Sequence, residues 1–355
     1  NSLTCIEVNA DNIDWATANW VSAGSYPNID AGVTFTDICY SSNPDYTYVP
    51  DDNFEQALID LGYDDVLDDY VATDNISGLT NLDVREKEIS DLTGIEDFTA
   101  LTHLICQDNQ LTSLDVSLNT ALTALFCDSN QLDNLDVSAN TALIHLQCND
   151  NQLTSLDVSN NIALEIMHCW GNQLTSLDVS SNTALIRLEC NVNQLTYLNM
   201  RNGVTDSLTT FNATDNPLTC IETLDPDYAT ANWTYGNGNI DDGVTFSIIC
   251  GSEDQDNWYV ATTGSDGGAG TQESPFATIQ MGINVSNNGD TVHVAAGTYV
   301  EPNVPYYGND YSAGPNLYEK DNIVIMGAGS GTTIIDMDDH YYGFCFSLNS
   351  NNNIV

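Results

Sequence analysis

The sequence predicts a mainly β solenoid, on three observations. Leu101, Leu122, Leu143, Leu164 and Leu185 recur every 21 residues; Cys106, Cys127, Cys148, Cys169 and Cys190, and Asn109, Asn130, Asn151, Asn172 and Asn193, keep the same period. Each unit divides into a ten-residue half such as LTALFCDSNQ and an eleven-residue half such as LDNLDVSANTA. After residue 251 the period is lost, but short β-branched runs separated by turn residues continue. A fixed period of this length means that each repeat buries its apolar edge against its neighbours.

Composition narrows the function. The 355 residues are enough for two or three domains. With 51 acidic residues against 5 basic ones, the formal charge is −46. Such a surface repels nucleic acid and anionic membranes, both of which are bound through Lys and Arg. No run of eighteen apolar residues exists, so direct membrane insertion is not expected. The first residues, NSLTC, read as the middle of a longer polypeptide, with neither a Met start nor a basic-then-apolar leader.

Residues 1–43 contain LTCIE, ATANW, NID and GVTF in that order, and the same blocks recur at 218–250. The second copy follows the repeats directly and reads as their closing cap, covering the last apolar rung. The first copy is then expected to close another array upstream. Each cap has one Cys near each end, so disulfides are expected at Cys5–Cys39 and Cys220–Cys250. Closing a loop of roughly thirty residues contributes about 3–4 kcal/mol in the chain-entropy model. Such bridges imply an oxidising compartment.

Residues 44–250 form the array proper, with a leading cap at 44–78, repeats at 79–217 and the closing cap. In the leading cap, Asp52 or Asn53 is expected to start a short helix, with Phe54, Leu58 and Leu61 on one face and Gly62 ending it. From Gly251 the composition changes. Gly264 to Gly270 reads as a loop or linker, Pro275 to Val285 as a short helix, and 291–294, 322–326, 332–335 and 342–348 as strands.

Two stretches carry a family resemblance. DLTGIEDFTALTHL and the LxxLxCxxNxLxxLDVSxNxx units after it resemble secreted bacterial leucine-rich-repeat surface proteins of the Bacteroidetes type. WYVATTGSDGG, SPFATIQMGI, GDTVHVAAGTYVE and NIVIMGAG resemble the N-terminal cap and first coils of pectin-lyase-like right-handed parallel β-helices. The resemblance implies a secreted or cell-surface protein, with residues 251–355 starting a β-helix that runs beyond Val355. Asn322-Ile-Val324 and Asn353-Ile-Val355 look like one point on successive coils.

Strand alternation says what the array offers. In LTALFCD, Leu125 and Cys127 point inward, while Ala124, Phe126 and Asp128 point outward. The Cys column is a ladder of small buried thiols, and the Asn column bonds turn backbone. In the LDVS half the outward residues stay constant, with Asp115, Asp136, Asp157 and Asp178 beside Ser117, Ser138, Ser159 and Ser180. That column is a solvated acidic face, and Ca²⁺ is the one ion it suggests; no cofactor is otherwise expected. In the other half the outward residues vary, and His103, Phe126, His145, His168, Trp170 and Arg187 all fall on it. A fixed scaffold with one variable, aromatic-bearing face is arranged for binding. A zinc site among the histidines is not expected: His103 and His145 stand two rungs, about 10 Å, apart.

No HExxH, GxSxG or P-loop occurs, so catalysis is not expected within these residues. Ser207 in Asp206-Ser-Leu and Thr291 in Asp290-Thr-Val match a short O-glycosylation signal of Bacteroidetes-type secreted proteins. The expected function is adhesion or ligand binding, with an extracellular glycan or protein as partner. Two alternatives stand: a filament or stalk in which the contacts are between copies, and a polysaccharide lyase or hydrolase with its active site beyond residue 355.

Overall fold

The computed structural model describes residues 45–251, 255–300 and 322–329, with short strands at 5–7, 34–36, 304–306, 309–313 and 333–336. Cys39, strand 342–348 and the 353–355 motif lie outside the described residues. The chain forms two compact units, 1–153 and 154–355. Both are β solenoids.

In the first unit, strands Cys5–Glu7 and Thr34–Thr36 pair in parallel, with Cys5 opposite Thr34. A hairpin follows, Tyr46–Tyr48 antiparallel to Tyr70–Ala72, and the helix Asp52–Leu61 lies between its strands in sequence. The helix N-cap is Asp51, one residue before the expected positions. Asp51 Oδ1 accepts from the Asn53 and Phe54 amides, while Oδ2 accepts from the Ser90 amide and hydroxyl and from the Asp91 amide. A single carboxylate thus starts the helix and ties it to the first repeat. Gly62 ends the helix in the left-handed region at φ 82°. Phe54 and Leu58 are buried as expected, but Leu61 is 43% exposed and Ala57 takes the core position instead. The helix ends at Leu61, so the chain turns away before that side chain is covered.

The repeats of this unit stack strands Asn81–Asp83, His103–Ile105, Ala124–Phe126 and His145–Gln147 in parallel register. Leu82, Leu104, Leu125 and Leu146 form one buried column, with Cys106, Cys127 and Cys148 beside it. None of these thiols is in a disulfide, and burial raises their pKa values, that of Cys148 to about 12. Asn130 shows what the Asn column does. Its Nδ2 donates to the Cys106 carbonyl of the preceding rung and the Cys127 carbonyl of its own, and its Oδ1 accepts from the Leu111 amide. Each such Asn binds two consecutive rungs together through backbone groups that burial would otherwise leave unpaired. A second column performs the same task on the opposite turn: Asn140 Nδ2 donates to the Val116 and Asn119 carbonyls.

The LDVS segments of the first unit keep the alternation but make no ladder. Leu114 and Val116 are buried around exposed Asp115, yet no strand forms there. The amide of Ser117 goes instead to Asp115 Oδ1, and that of Ser138 to Asp136 Oδ1.

The second unit begins within the repeats. Strands Ile166–His168, Arg187–Glu189 and Thr210–Asn212 form one parallel sheet. Ser176–Asp178, Tyr197–Met200, Cys220–Thr223 and Thr245–Ser247 form another, so here the LDVS half does pair. Cys220 lies opposite Thr245, the register that Cys5 and Thr34 show in the first unit. Helix Pro226–Asn232, capped by Asp225, leads to Trp233, whose ring lies 4.3 Å from Phe211 and 5.9 Å from Phe246. These rings cover the last rung, and a Cys220–Cys250 disulfide joins the segment to its end.

Beyond residue 255, strands Asn257–Val260, Thr291–Val294 and Val324–Gly327 stack in parallel over a helix, Ile279–Val285, capped by the Thr278 hydroxyl. Gly297–Val300 pairs with Thr333–Asp336 as a second parallel face. Trp258, Phe276, Ile279, Ile283 and Val292 fill the interior, and Trp258 Nε1 donates to Asp290 at 2.8 Å. Successive parallel rungs of this kind are coils of a β-helix.

The Gly264–Gly270 stretch is a folded loop rather than a linker. Gly270 has φ +68° and lies so close to the Phe276 ring that a Cβ would collide with it. Asp266 accepts from the Ala277 and Thr278 amides and the Thr278 hydroxyl. The carbonyls of Gly267 and Gly268 accept from Arg201 Nη2 at 2.6 and 2.9 Å. Arg201 is buried, 3.3 Å from Glu222, and its Nε donates to Asn199. A buried guanidinium requires such company, and here it fastens the repeats to the β-helix coils.

Candidate ligand-binding face

The six residues singled out on the variable face fall three to each unit. In the first unit the ladder places His103, Ala124 and His145 in one outward row and Ile105, Phe126 and Gln147 in the next. The backbone–backbone bonds of the ladder hold these positions, so the outward side chains have no scaffold duty. Ala124 is only 2% exposed although its side chain points outward. It is a single methyl between two imidazole-bearing neighbours in the row. His103 and His145 thus stand two rungs, about 10 Å, apart, with the half-buried Phe126 ring in the adjoining row. The His103 ring nitrogen Nδ1 lies 2.9 Å from the Thr102 hydroxyl, which fixes the ring's orientation.

Asp128 lies on the same strand row beyond Phe126. Its carboxyl is held above the usual carboxylate range, first by burial and then by Asp108 and Asp150 on the adjoining turns. Those turns are tight: Asp108, Ser129 and Asp150 all have positive φ, at 54°, 54° and 51°. Asn149, the next outward residue, is buried and donates to Asp150.

In the second unit, His168 Nε2 lies 4.0 Å from Glu189 Oε1, and Trp170 is half-buried beyond it. Arg187 is exposed, in register between Ile166 and Thr210. This part of the face thus carries an imidazole near a carboxylate, an indole and an exposed guanidinium, where the first unit has two imidazoles and a phenyl ring.

The constant Asp column performs local work. Asp115, Asp136, Asp157 and Asp178 each accept from the amide of the Ser two residues on, at 2.8–2.9 Å. The Ser117 and Ser138 hydroxyls and amides hold the Asp115 and Asp136 carboxyls below their usual range. Among the described residues, no three His, Cys, Asp or Glu side chains are spaced to hold a metal ion together. Of the two glycosylation candidates, Ser207 is exposed and bonded to Asp206, while Thr291 is half-buried at the head of a strand.

Sequence reasoning missed a polar cleft of about 590 Å³ in the second unit. Asp157, Asp178 and Ser180 line one side and the Ser265–Gly268 loop the other. Only the folding of the Gly-rich loop onto the repeats creates it, and the sequence carried no signal for that contact.

The chain has partial similarity to known proteins. Residues 262–305 match the family described as "Protein of unknown function (DUF1565)". The chain is similar to internalin J of Listeria monocytogenes serotype 4b (strain F2365), at 42% identity over 73 residues. That match covers 21% of this chain and 8% of the relative's length. Among solved structures it is similar to a functional domain of internalin J from Listeria monocytogenes that includes a cysteine ladder, with TM-score 0.48, 25% identity, and 86% and 71% of the two chains covered. An internalin (inlF) from Listeria monocytogenes aligns with TM-score 0.40 and 16% identity over 84% of this chain and 96% of that one.

Proposed function

We propose that this chain is an extracellular, non-enzymatic binding protein that takes a glycan or protein ligand on the variable strand face of its repeats. The observation that carries the reading is the outward row of His103, Ala124 and His145 beside that of Ile105, Phe126 and Gln147, on a scaffold whose Leu, Cys and Asn positions repeat without change. Rigidly held aromatic and imidazole groups contribute strongly to recognition because they lose little conformational freedom on binding. The partial similarity to internalin J supports a recognition role. The Cys220–Cys250 disulfide suits an oxidising, secreted or cell-surface setting. Among the described residues no helix is long and apolar enough to cross a membrane.

The test is a glycan array together with cell-adhesion measurements on the chain. Phe126→Ala and His145→Ala are expected to weaken binding at least tenfold, and Asp136→Asn on the constant half to leave it unchanged. Trp170→Ala probes the second unit's part of the face separately. Binding that survives all three face substitutions assigns the ligand to another surface and overturns the reading.

A further inference from the structure

Two ties hold the β-helix coils to the repeats, and they meet at one carboxylate. The first tie is covalent. Cys220 opens a strand of the repeat sheet, and Cys250, 30 residues on, is bonded to it. Ile249, next to Cys250, is packed into the core of the coils with Trp258 and Phe276. The second tie is ionic: Arg201 follows the neighbouring strand Tyr197–Met200, and its Nη2 donates to the Gly267 and Gly268 carbonyls. Glu222, on the Cys220 strand and 4% exposed, serves both. Its Oε1 accepts from the Cys250 amide at 3.1 Å, while Oε2 accepts from the Tyr197 hydroxyl and lies 3.3 Å from Arg201 Nη2. Arg201 Nη1 is buried without a hydrogen-bond partner, so the guanidinium depends on Glu222 to balance its charge. The ionic tie in turn sets a wall of the polar cleft. Gly267 is drawn so close to Ser180 that a Cβ would lie 2.9 Å from the Ser180 Oγ, and both residues line the cleft.

We propose that the Cys220–Cys250 bridge is a redox latch on that wall, closed when oxidised and opened by a dithiol reductant. Its two cysteines are half-buried, within reach of a thiol, whereas Cys106, Cys127, Cys148, Cys169 and Cys190 are buried. Reductant therefore acts on the latch and spares the ladder. One thiolate of the reductant attacks a bridge sulfur, forming a mixed disulfide and releasing the other cysteine as thiolate. The second thiolate of the reductant then displaces the remaining cysteine and closes the reductant's own disulfide. Two electrons pass to the bridge, and Cys220 and Cys250 take up protons as thiols. The covalent tie is then gone, and the Cys250 amide alone joins that residue to Glu222. Water reaches the carboxylate, the buried guanidinium loses its dry counter-charge, and the Gly267 and Gly268 carbonyls are released. The loop lifts from Ser180 and opens the cleft over Asp157 and Asp178. The latch lies outside the variable face and stands whether or not that face binds a ligand.

Phenylglyoxal, which modifies accessible arginines, reads the latch at Arg201, because Arg85 and Arg187 are exposed and serve as internal standards while Arg201 is buried. In the oxidised full chain Arg201 is expected to react at least tenfold more slowly than Arg187, since only local opening admits the reagent. The folded chain is then reduced with dithiothreitol, alkylated with iodoacetamide and freed of both reagents. Peptide mass spectrometry should find Cys220 and Cys250 alkylated, the ladder cysteines unmodified, and Arg201 reacting at a rate comparable to Arg187. Cys250→Ser should show the same Arg201 reactivity without reductant, and Glu222→Gln should raise it with the bridge intact. Arg201 that stays protected once Cys220 and Cys250 are alkylated overturns the proposal, because the bridge then does not govern the guanidinium. So does alkylation of the ladder cysteines alongside Arg201 modification, which makes the bridge a support of the whole fold. A bridge that dithiothreitol leaves intact in the folded chain overturns it as well.

Discussion

The two halves of a rung in the first unit satisfy the same backbone demand by different means. In the LxC half, as at Ala124–Phe126, amides and carbonyls pair with those of neighbouring strands, and the outward side chains take no part. In the LDVS half side chains supplement backbone bonds such as that from Asn119 to Val116: the Ser117 and Ser138 amides donate to Asp115 and Asp136, and the Val116 and Asn119 carbonyls also accept from Asn140. Where backbone bonds backbone, outward residues are released to vary. Where side chains do the bonding, residue identity is held. In the second unit Ser176–Asp178 pairs with Tyr197–Met200 and Asp178 is nonetheless kept, so the Asp–Ser bond, present on all four rungs, accompanies the constant face whether or not a ladder forms.

Substitutions test that contrast, and the largest effect belongs to a residue that bonds backbone on two rungs. Asn130→Ala leaves the Leu111 amide without its buried partner and takes from the Cys106 carbonyl one of its two side-chain donors, Asn109 remaining, and is expected to cost about 3 kcal/mol in urea unfolding. A cost below about 1 kcal/mol would mean that the ladder alone carries the repeats.

Asp51→Ala comes next, at about 2 kcal/mol, the upper end for a helix cap, because the carboxylate also holds Ser90 and Asp91. Burial opposes its charge, but the bonds from Ser90, Phe54 and Asp91 outweigh that and lower its pKa from 3.8. A depressed carboxylate stabilises the fold above its unfolded pKa and loses that contribution as pH falls through the folded value. The Asp51→Ala cost should therefore be full at pH 6 and shrink once the pH falls below about 3.8. Parallel melts of parent and variant across that range measure it.

Val192 gives a smaller effect of opposite sign. It occupies the rung turn with φ 54° and is 48% exposed, whereas Gly171 fills the equivalent place one rung earlier. A β-branched residue is strained in that region, so Val192→Gly should stabilise the chain by about 1 kcal/mol in urea titration. The least change is expected on the variable strand itself. Gln147→Ala should move stability by no more than about 0.5 kcal/mol, and a larger loss in the same titration would show that the LxC half has structural duties after all.

Much of this was legible in the sequence because the repeat amplifies it. One Leu, Cys or Asn proves little, but five at one spacing define a column, and alternation then separates inside from outside. What escaped depends on contacts distant in sequence. Asp51 was passed over for Asp52 and Asn53 because its second oxygen serves Ser90, 39 residues away. Arg201 looked like one of few basic residues, and nothing local indicated that carbonyls 66 and 67 residues later would enclose it. The variable face was visible as a pattern, but the near-complete burial of Ala124 in its outward row was not.

The cysteine ladder bears on how this protein fails. Burial holds the Cys148 and Cys190 thiols near a pKa of about 12, so about one in ten thousand is ionised at pH 8 and able to exchange. While the chain is folded, five thiols therefore coexist with the Cys220–Cys250 bridge without reacting. Unfolding returns each thiol to its ordinary acidity and exposes it to the bridge and to its fellows. At neutral pH and above, scrambled pairings then compete with refolding, so the urea titrations belong at mildly acidic pH, where exposed thiols stay protonated. Half-life, rather than an equilibrium midpoint, is then the proper measure of this molecule's durability in an oxidising medium.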